Sequence, residues 1–219
     1  FSIGQGLLSA TPLQLAVAYG ALANGGLVMR PRVAHAILAP GTPNGKSGYV
    51  NLARGTVLQS FAEPQVVRDI DARPEVINPI IRGLTRVVEG PGVRSDIYHS
   101  TTGEKLFRSY PSRSLPIAGK TGTAQGSGNL PWNDSSVFGA FSKDPKQPYT
   151  TVAYLEKSGY GSRAAAPVVK CVFTALAGKT TVAKAVPADP LDTASFAVAS
   201  PQLLPNPLCL VGVGSSVRD

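Results

Sequence analysis

The sequence predicts a mixed α/β domain of the α+β type, and three observations carry that expectation. Thr11-Pro12-Leu13-Gln14 has the form of a helix capping box with proline at the first helical position. Residues 136–142 and 149–156 are rich in β-branched and aromatic side chains and are separated by Asp144-Pro145-Lys146-Gln147-Pro148, the pattern of a hairpin. Residues 117–125 read as an extended segment just upstream, so three strands follow one another in the chain.

The helices follow from periodicity. Leu13, Ala16, Val17, Gly20 and Ala21 share one face, and Asn24-Gly25-Gly26 supplies left-handed residues to end it. Gly20 inside that helix should cost about 1 kcal/mol relative to alanine, which is tolerable if a neighbouring backbone must approach there. A second helix is expected to begin at Asn78-Pro79, bury Ile80, Ile81, Leu84, Val87 and Val88, and end at Gly90-Pro91-Gly92. A third begins near Ala164 after the turn Ser158-Gly159-Tyr160-Gly161, with Val168, Val169, Val172, Phe173 and Leu176 facing the core and Gly178 closing it. Residues 30–38 read as a connecting strand or turn and 40–48 as a loop, while 51–73 supports no assignment. Residues 93–115 form a long polar, serine-rich passage, and loops of that length are usually functional or mobile.

Composition narrows the function. At 219 residues the chain is long enough for one full core. Lys and Arg exceed Asp and Glu by eight, which favours anionic partners, but no run of like charges or basic–aromatic interleaving points to nucleic acid. No apolar run approaches the roughly 18 residues of a membrane span. The start at Phe1, without an initiator methionine, reads as a fragment or processed product. Cys171 and Cys209 are far apart, lack neighbours at metal spacing, and read as independent thiols, with one disulfide as the alternative. No cofactor is expected. His35 and His99 are the two histidines, and without a G-x-S-x-G motif a serine–histidine hydrolase is hard to build.

The chemistry concentrates in residues 117–125, Ile-Ala-Gly-Lys-Thr-Gly-Thr-Ala-Gln. A phosphate-binding loop requires a glycine five residues before Gly119, and Ser114 stands there; for the second Gly-Lys-Thr, at 178–180, Phe173 occupies that place. The alternative is the Lys-Thr-Gly element of serine acyl-transferases that act on penicillin-like substrates. Three residues are weak evidence alone. Their context is Ser-Ile-Gly-Gln-Gly at 2–6, Thr-Pro-Leu-Gln-Leu-Ala at 11–16, Ala-Leu-Ala-Asn-Gly-Gly at 21–26, and Tyr-Gly-Ser-Arg-Ala-Ala-Ala-Pro at 160–167. Together with the Lys-Thr-Gly stretch these resemble the C-terminal part of the transpeptidase domain of class B penicillin-binding proteins, over residues 1–179. The Ala/Pro/Ser-rich tail at 180–219 resembles nothing in that family and reads as a linker or loose addition.

The resemblance implies the penicillin-binding/β-lactamase-like transpeptidase fold, an antiparallel sheet flanked by helices, present here as a partial domain. It implies peptidoglycan cross-linking through a serine acyl-enzyme, with Lys120, Thr121, Gly122 and Thr123 in the catalytic wall. Thr121 and Thr123, with Ala124 and Gln125 beyond them, would bind the donor peptide or a β-lactam, and the Thr123 N–H would be an oxyanion donor. It further implies placement on the extracytoplasmic face of the bacterial cytoplasmic membrane through an upstream anchor, with stem peptides and a membrane glycan polymerase as partners. No serine in the chain is followed by lysine three residues later, and Ser127-Gly128-Asn129 comes after Lys120 where the family's triplet precedes it, so it reads as a turn. The nucleophile and its lysine are therefore expected on an N-terminal remainder carrying S-x-x-K and Ser-x-Asn, and this chain alone is expected to be inactive. A penicillin-recognising sensor or inactive homologue is the alternative, and a β-lactamase a more distant one.

Overall fold

A computed structural model of the chain describes residues 9–39, 56–90, 102–103, 106–126 and 134–178. The expectations for the loop at 40–48, for the turn at 127–129 and for the tail at 180–219 lie outside these residues.

The centre is a three-stranded antiparallel sheet in the order β5-β6-β7, formed by Ile117–Ala124, Ser135–Ser142 and Thr150–Leu155. Its register pairs Ile117 with Ser142 through to Ala124 with Ser135, without a bulge. The strands predicted at 117–125, 136–142 and 149–156 are thus present, within a residue or two at each end.

Helix α1, Pro12–Ala23, starts as the sequence reads: Thr11 Oγ1 accepts from the Gln14 N–H, and Gln14 Oε1 accepts from the Thr11 N–H. It packs on β6 and β7, with the Tyr19 ring against Gly139 and Phe141. A methyl on Gly139 would lie 2.6 Å from the Tyr19 Cζ, so a side chain there would force the Tyr19 ring out of its place against the sheet. At Gly20 a methyl would meet Thr150 Oγ1 at 3.8 Å, an ordinary contact, and among the described residues no neighbouring backbone crowds it.

After α1 come four short strands: β1, Leu27–Met29; β2, Ala36–Leu38, within the stretch 30–38 that reads as a connecting strand or turn; and β3, Val57–Ser60, and β4, Val66–Asp69, in the stretch 51–73 that supports no assignment from sequence. β1 pairs with β4 and β2 with β3, both antiparallel, so the chain goes out and returns as one interrupted ribbon. Arg30 N–H to Gln65 O and Phe61 N–H to His35 O carry the pairing across the interruption. Every residue of β3 and β4 is exposed, which removes the buried/exposed alternation by which a strand is recognised.

Helix α2, Pro74–Glu89, begins five residues earlier than the Asn78-Pro79 signal suggests. Two prolines compete for the first helical position. Pro74 takes it behind an extended Arg73, and Pro79 is carried inside the helix, where it forfeits one backbone bond. The expected face is largely kept: Val88 is buried and Ile81, Leu84 and Val87 are half-buried, while Ile77 joins them and Ile80 is exposed.

Helix α3, Ala165–Leu176, packs on the opposite face of the sheet from α1. It buries Ala165, Ala166, Val169, Lys170, Phe173 and Thr174. The expected core residues Val168 and Val172 are exposed instead, and the helix is turned so that lysine and threonine face inward. Lys170 Nζ donates to Ser109 Oγ at 3.0 Å, and burial lowers its pKa to about 8. Thr174 Oγ1 donates to the Lys170 carbonyl at 2.7 Å.

The serine-rich passage before β5 is not merely a connection. Leu106, Phe107, Tyr110 and Leu115 are all in the core, with Phe107 stacked on Phe138 at 5.7 Å and Tyr110 Oη donating to the Leu115 carbonyl at 2.6 Å. The reading of the cysteines also changes: Cys171 is disulfide-bonded, and among the described residues no cysteine is a free thiol.

Candidate active-site strand

β5 carries every site residue the sequence nominated except Gln125, which follows it directly. Its first three residues, Ile117, Ala118 and Gly119, are buried and anchor it in the core. From Lys120 onward the strand emerges: Lys120, Ala124 and Gln125 are exposed, and Thr121, Gly122 and Thr123 half-buried. β6 covers one edge, and no described strand pairs with the other.

Alternation sorts the side chains. Lys120 lies opposite Gly139 and Gly122 opposite Val137, on the α1 face; Thr121 lies opposite Phe138 and Thr123 opposite Ser136, on the α3 face. Lys120 nevertheless reaches Thr121: its Nζ donates to the Thr121 carbonyl at 2.8 Å and to Thr121 Oγ1 at 3.2 Å. Since β6 occupies the inner edge, the lysine arm wraps round the outer one. A positive charge and a hydroxyl from opposite faces thereby meet on the open side of the strand.

Residues 158–161, which read as a turn leading into the last helix, complete the wall. The Gly161 N–H donates to Thr123 Oγ1 at 3.3 Å. A methyl on Gly161 would collide with the Gly122 carbonyl oxygen and lie 2.6 Å from that of Val137, so this glycine is seated directly on the β5–β6 pair. The turn is itself held: Ser158 Oγ donates to the Leu155 carbonyl at 2.7 Å and accepts from Ser136 Oγ at 2.7 Å, and the N–H groups of Ser158 and Gly159 both donate to the Asp134 carbonyl at 2.9 Å. The Gly122 and Val137 carbonyls both lie beneath Gly161, in the gap between the strands. Antiparallel alternation then turns the backbone groups of Thr121 and Thr123 toward the outer edge. The sequence did contain one signal for this wall, because Tyr160-Gly161-Ser162-Arg163 belongs to the motif set that carried the resemblance.

Chemically, each threonine oxygen accepts a bond from nitrogen, Thr121 from Lys120 and Thr123 from Gly161. The Thr121 hydroxyl, accepting in this way, keeps its own O–H as a donor. That donor and an ammonium along one open edge suit an anionic ligand. Gly122 is not required by the packing, since a methyl there would meet only Val137 Cβ, at 3.5 Å. Among the described residues no cluster of His, Cys, Asp and Glu could hold a metal ion, and no helix is long and apolar enough to cross a membrane.

Residues 1–174 match the family model of the penicillin binding protein transpeptidase domain. The chain belongs to that transpeptidase family. This transpeptidase chain is 30% identical over 185 residues to the peptidoglycan D,D-transpeptidase MrdA of Haemophilus influenzae, covering 78% of the chain and 24% of that protein. Among solved structures it is similar to Pseudomonas aeruginosa PBP2 in complex with WCK 5153, at 30% identity and TM-score 0.51, covering 85% of the chain and 34% of that one. It is also similar to PBPA of Mycobacterium tuberculosis, at 25% identity and TM-score 0.52, covering 80% of the chain and 34% of that one. The likeness to MrdA and PBP2 agrees with the class B resemblance, and the fold is that of the transpeptidase structures at partial coverage. The transpeptidase chain spans about a quarter to a third of the length of these relatives.

Proposed function

We propose that this chain supplies the Lys-Thr-Gly wall of a peptidoglycan D,D-transpeptidase, and that the nucleophilic serine, its lysine partner and the Ser-x-Asn triplet come from a further part of the protein. The observation that carries the reading is the outer edge of β5. It lacks a strand partner among the described residues and brings together Lys120 Nζ and the Thr121 hydroxyl, with Thr123 two residues on. An extended stem peptide or a β-lactam lies along that edge as an added strand. Its carboxylate takes the hydroxyl protons of Thr121 and Thr123, contacts of about 1.5 to 3 kcal/mol each when charge-assisted. Lys120 holds positive potential beside the nucleophile and helps to move its proton. The Thr123 N–H, on the same edge, is one donor to the oxyanion of the tetrahedral intermediate, a role worth about 2.7 to 4 kcal/mol in a comparable site. Gly122 leaves the ligand room to lie close, and Ala124 and Gln125 extend the seat beyond it.

The relatives support the wider setting. MrdA is named as a peptidoglycan D,D-transpeptidase. A structure described as a peptidoglycan synthase complex coordinating polymerization and crosslinking is similar at TM-score 0.56 and 25% identity, over 84% of this chain and 26% of that one. The partners that follow are stem peptides, β-lactam antibiotics, a membrane glycan polymerase, and the N-terminal remainder of the same protein. The site then works at the extracytoplasmic face of the membrane, anchored by a segment upstream.

Labelling with a fluorescent penicillin tests the division of labour. The 219-residue chain is expected to take up no covalent label, and the protein that includes an S-x-x-K segment to take it up stoichiometrically. Label on this chain alone would overturn the assignment of the nucleophile. Failure of the longer protein to label would overturn the transpeptidase reading itself.

A further inference from the structure

Helix α3 is apolar on the side that faces away from the sheet. A helix at the surface of a domain ordinarily turns charged residues outward, and one that is apolar all round is covered on all sides. In α3 the inward arc carries the lysine and a threonine, Lys170 and Thr174, whereas the outward arc is Pro167, Val168, Cys171, Val172 and Ala175. Val168 is 45% exposed and Val172 39%. One residue of this arc already has a covalent partner, because Cys171 is disulfide-bonded. The chain contains two cysteines, so within one molecule that partner is Cys209. Around Cys209 the sequence reads Leu-Cys-Leu-Val-Gly-Val, residues 208–213, uncharged and the most continuously apolar stretch of the tail.

We propose that residues 208–213 dock on the outward face of α3, held there by a Cys171–Cys209 disulfide, so that Leu208 and Leu210 cover Val168 and Val172. The bond joins the two Sγ atoms, with both thiol protons and two electrons passing to a disulfide-bearing oxidant by thiol–disulfide exchange. Such bonds persist in oxidising compartments. Reach is not an obstacle, since the roughly 30 residues between Gly178 and Leu208 span up to about 100 Å when extended. The tail thereby closes the apolar side of the helix whose first residues follow the turn that holds Thr123.

Peptide mapping of the full-length protein, with free thiols blocked before digestion and no reductant, tests the bond. A cross-linked peptide containing Cys171 and Cys209, lost on reduction and obtained from a monomeric band, is the expected result. Alkylated Cys171, or a disulfide-linked dimer, would overturn the pairing. Hydrogen exchange over residues 165–176 tests the docking separately. Cys209→Ser, which leaves α3 unaltered in sequence, and Leu210→Asp, which leaves the bond intact, are each expected to speed exchange there by tenfold or more. Exchange unchanged in Leu210→Asp, with the cross-link still present, would overturn the docking while leaving the bond standing.

Discussion

Gly161→Ala places one methyl group where two strands and the active-site threonine meet. The added carbon would collide with the Gly122 carbonyl oxygen and stand 2.6 Å from that of Val137, well inside the roughly 3.3 Å at which carbon and carbonyl oxygen come into contact. Both oxygens belong to paired backbone and cannot turn aside as a flexible side chain would, so the turn itself must lift from the sheet. Overpacking of this kind costs about 1–3 kcal/mol, and stretching the Gly161–Thr123 bond removes about 1 kcal/mol more. A total of about 2–4 kcal/mol corresponds to a fall of about 6–12 °C in Tm for a domain of this size. The functional signature is separate from the loss of stability. With Gly161 lifted, Thr123 Oγ1 loses the donor that orients it, and a carboxylate contact weakened by about 1.4 kcal/mol lowers the second-order rate of penicillin acylation by about tenfold. Gly119→Ala is the control. Its methyl would lie 2.8 Å from Ala140 Cβ and from the Gly139 carbonyl oxygen, inside the core, so it should lower Tm and leave the acylation rate of the folded fraction near wild type. A full-length Gly161→Ala protein that melts and acylates like wild type would refute the argument that this glycine seats the turn on β5.

Thr121→Val should slow acylation of the full-length protein by about ten- to a hundredfold with little change in Tm, because the half-buried hydroxyl bonds only to Lys120 among the described residues; an unchanged rate would remove it from the carboxylate site. Lys170, with its pKa lowered from 10.5 to about 8 by burial, binds fewer protons folded than unfolded between those values. Stability should therefore rise from pH 8 toward 10.5, the whole penalty of roughly 3 kcal/mol being present below pH 8. Lys170→Met should flatten that rise in denaturant titrations. Thr11→Ala removes the capping box of α1 and should cost about 1 kcal/mol, read as a lower denaturant midpoint at constant m-value.

Much of the fold was legible where local chemistry is strong. The α1 cap, the β6–β7 hairpin and the extended Lys-Thr-Gly strand each rest on a few adjacent residues, and each is found where the sequence places it. The start of α2 was missed because Pro74 and Pro79 carry the same local signal, and only the extended Arg73 upstream and the burial of Ile77 decide between them. Most of the β1–β4 ribbon was missed because its returning strands are exposed throughout, its outgoing strands are only three residues long, and the pairing joins distant residues, which leaves no period to read.

What the sequence determined by itself is the set of elements whose signals are local, together with the motif order that assigns the chain to the transpeptidase family. Tertiary structure alone decided which side of each element is used. In α3, apolar residues occur all round the helix, so no period distinguishes Val169 and Phe173, which are buried, from Val168 and Val172, which are not. At the site, Lys120 and Thr121 leave opposite faces of one strand, and an isolated strand cannot say that the lysine will turn round the open edge. It does so because β6 closes the other edge, and Thr123 is oriented because Gly161, 38 residues away in sequence, has no side chain to keep its N–H from reaching it.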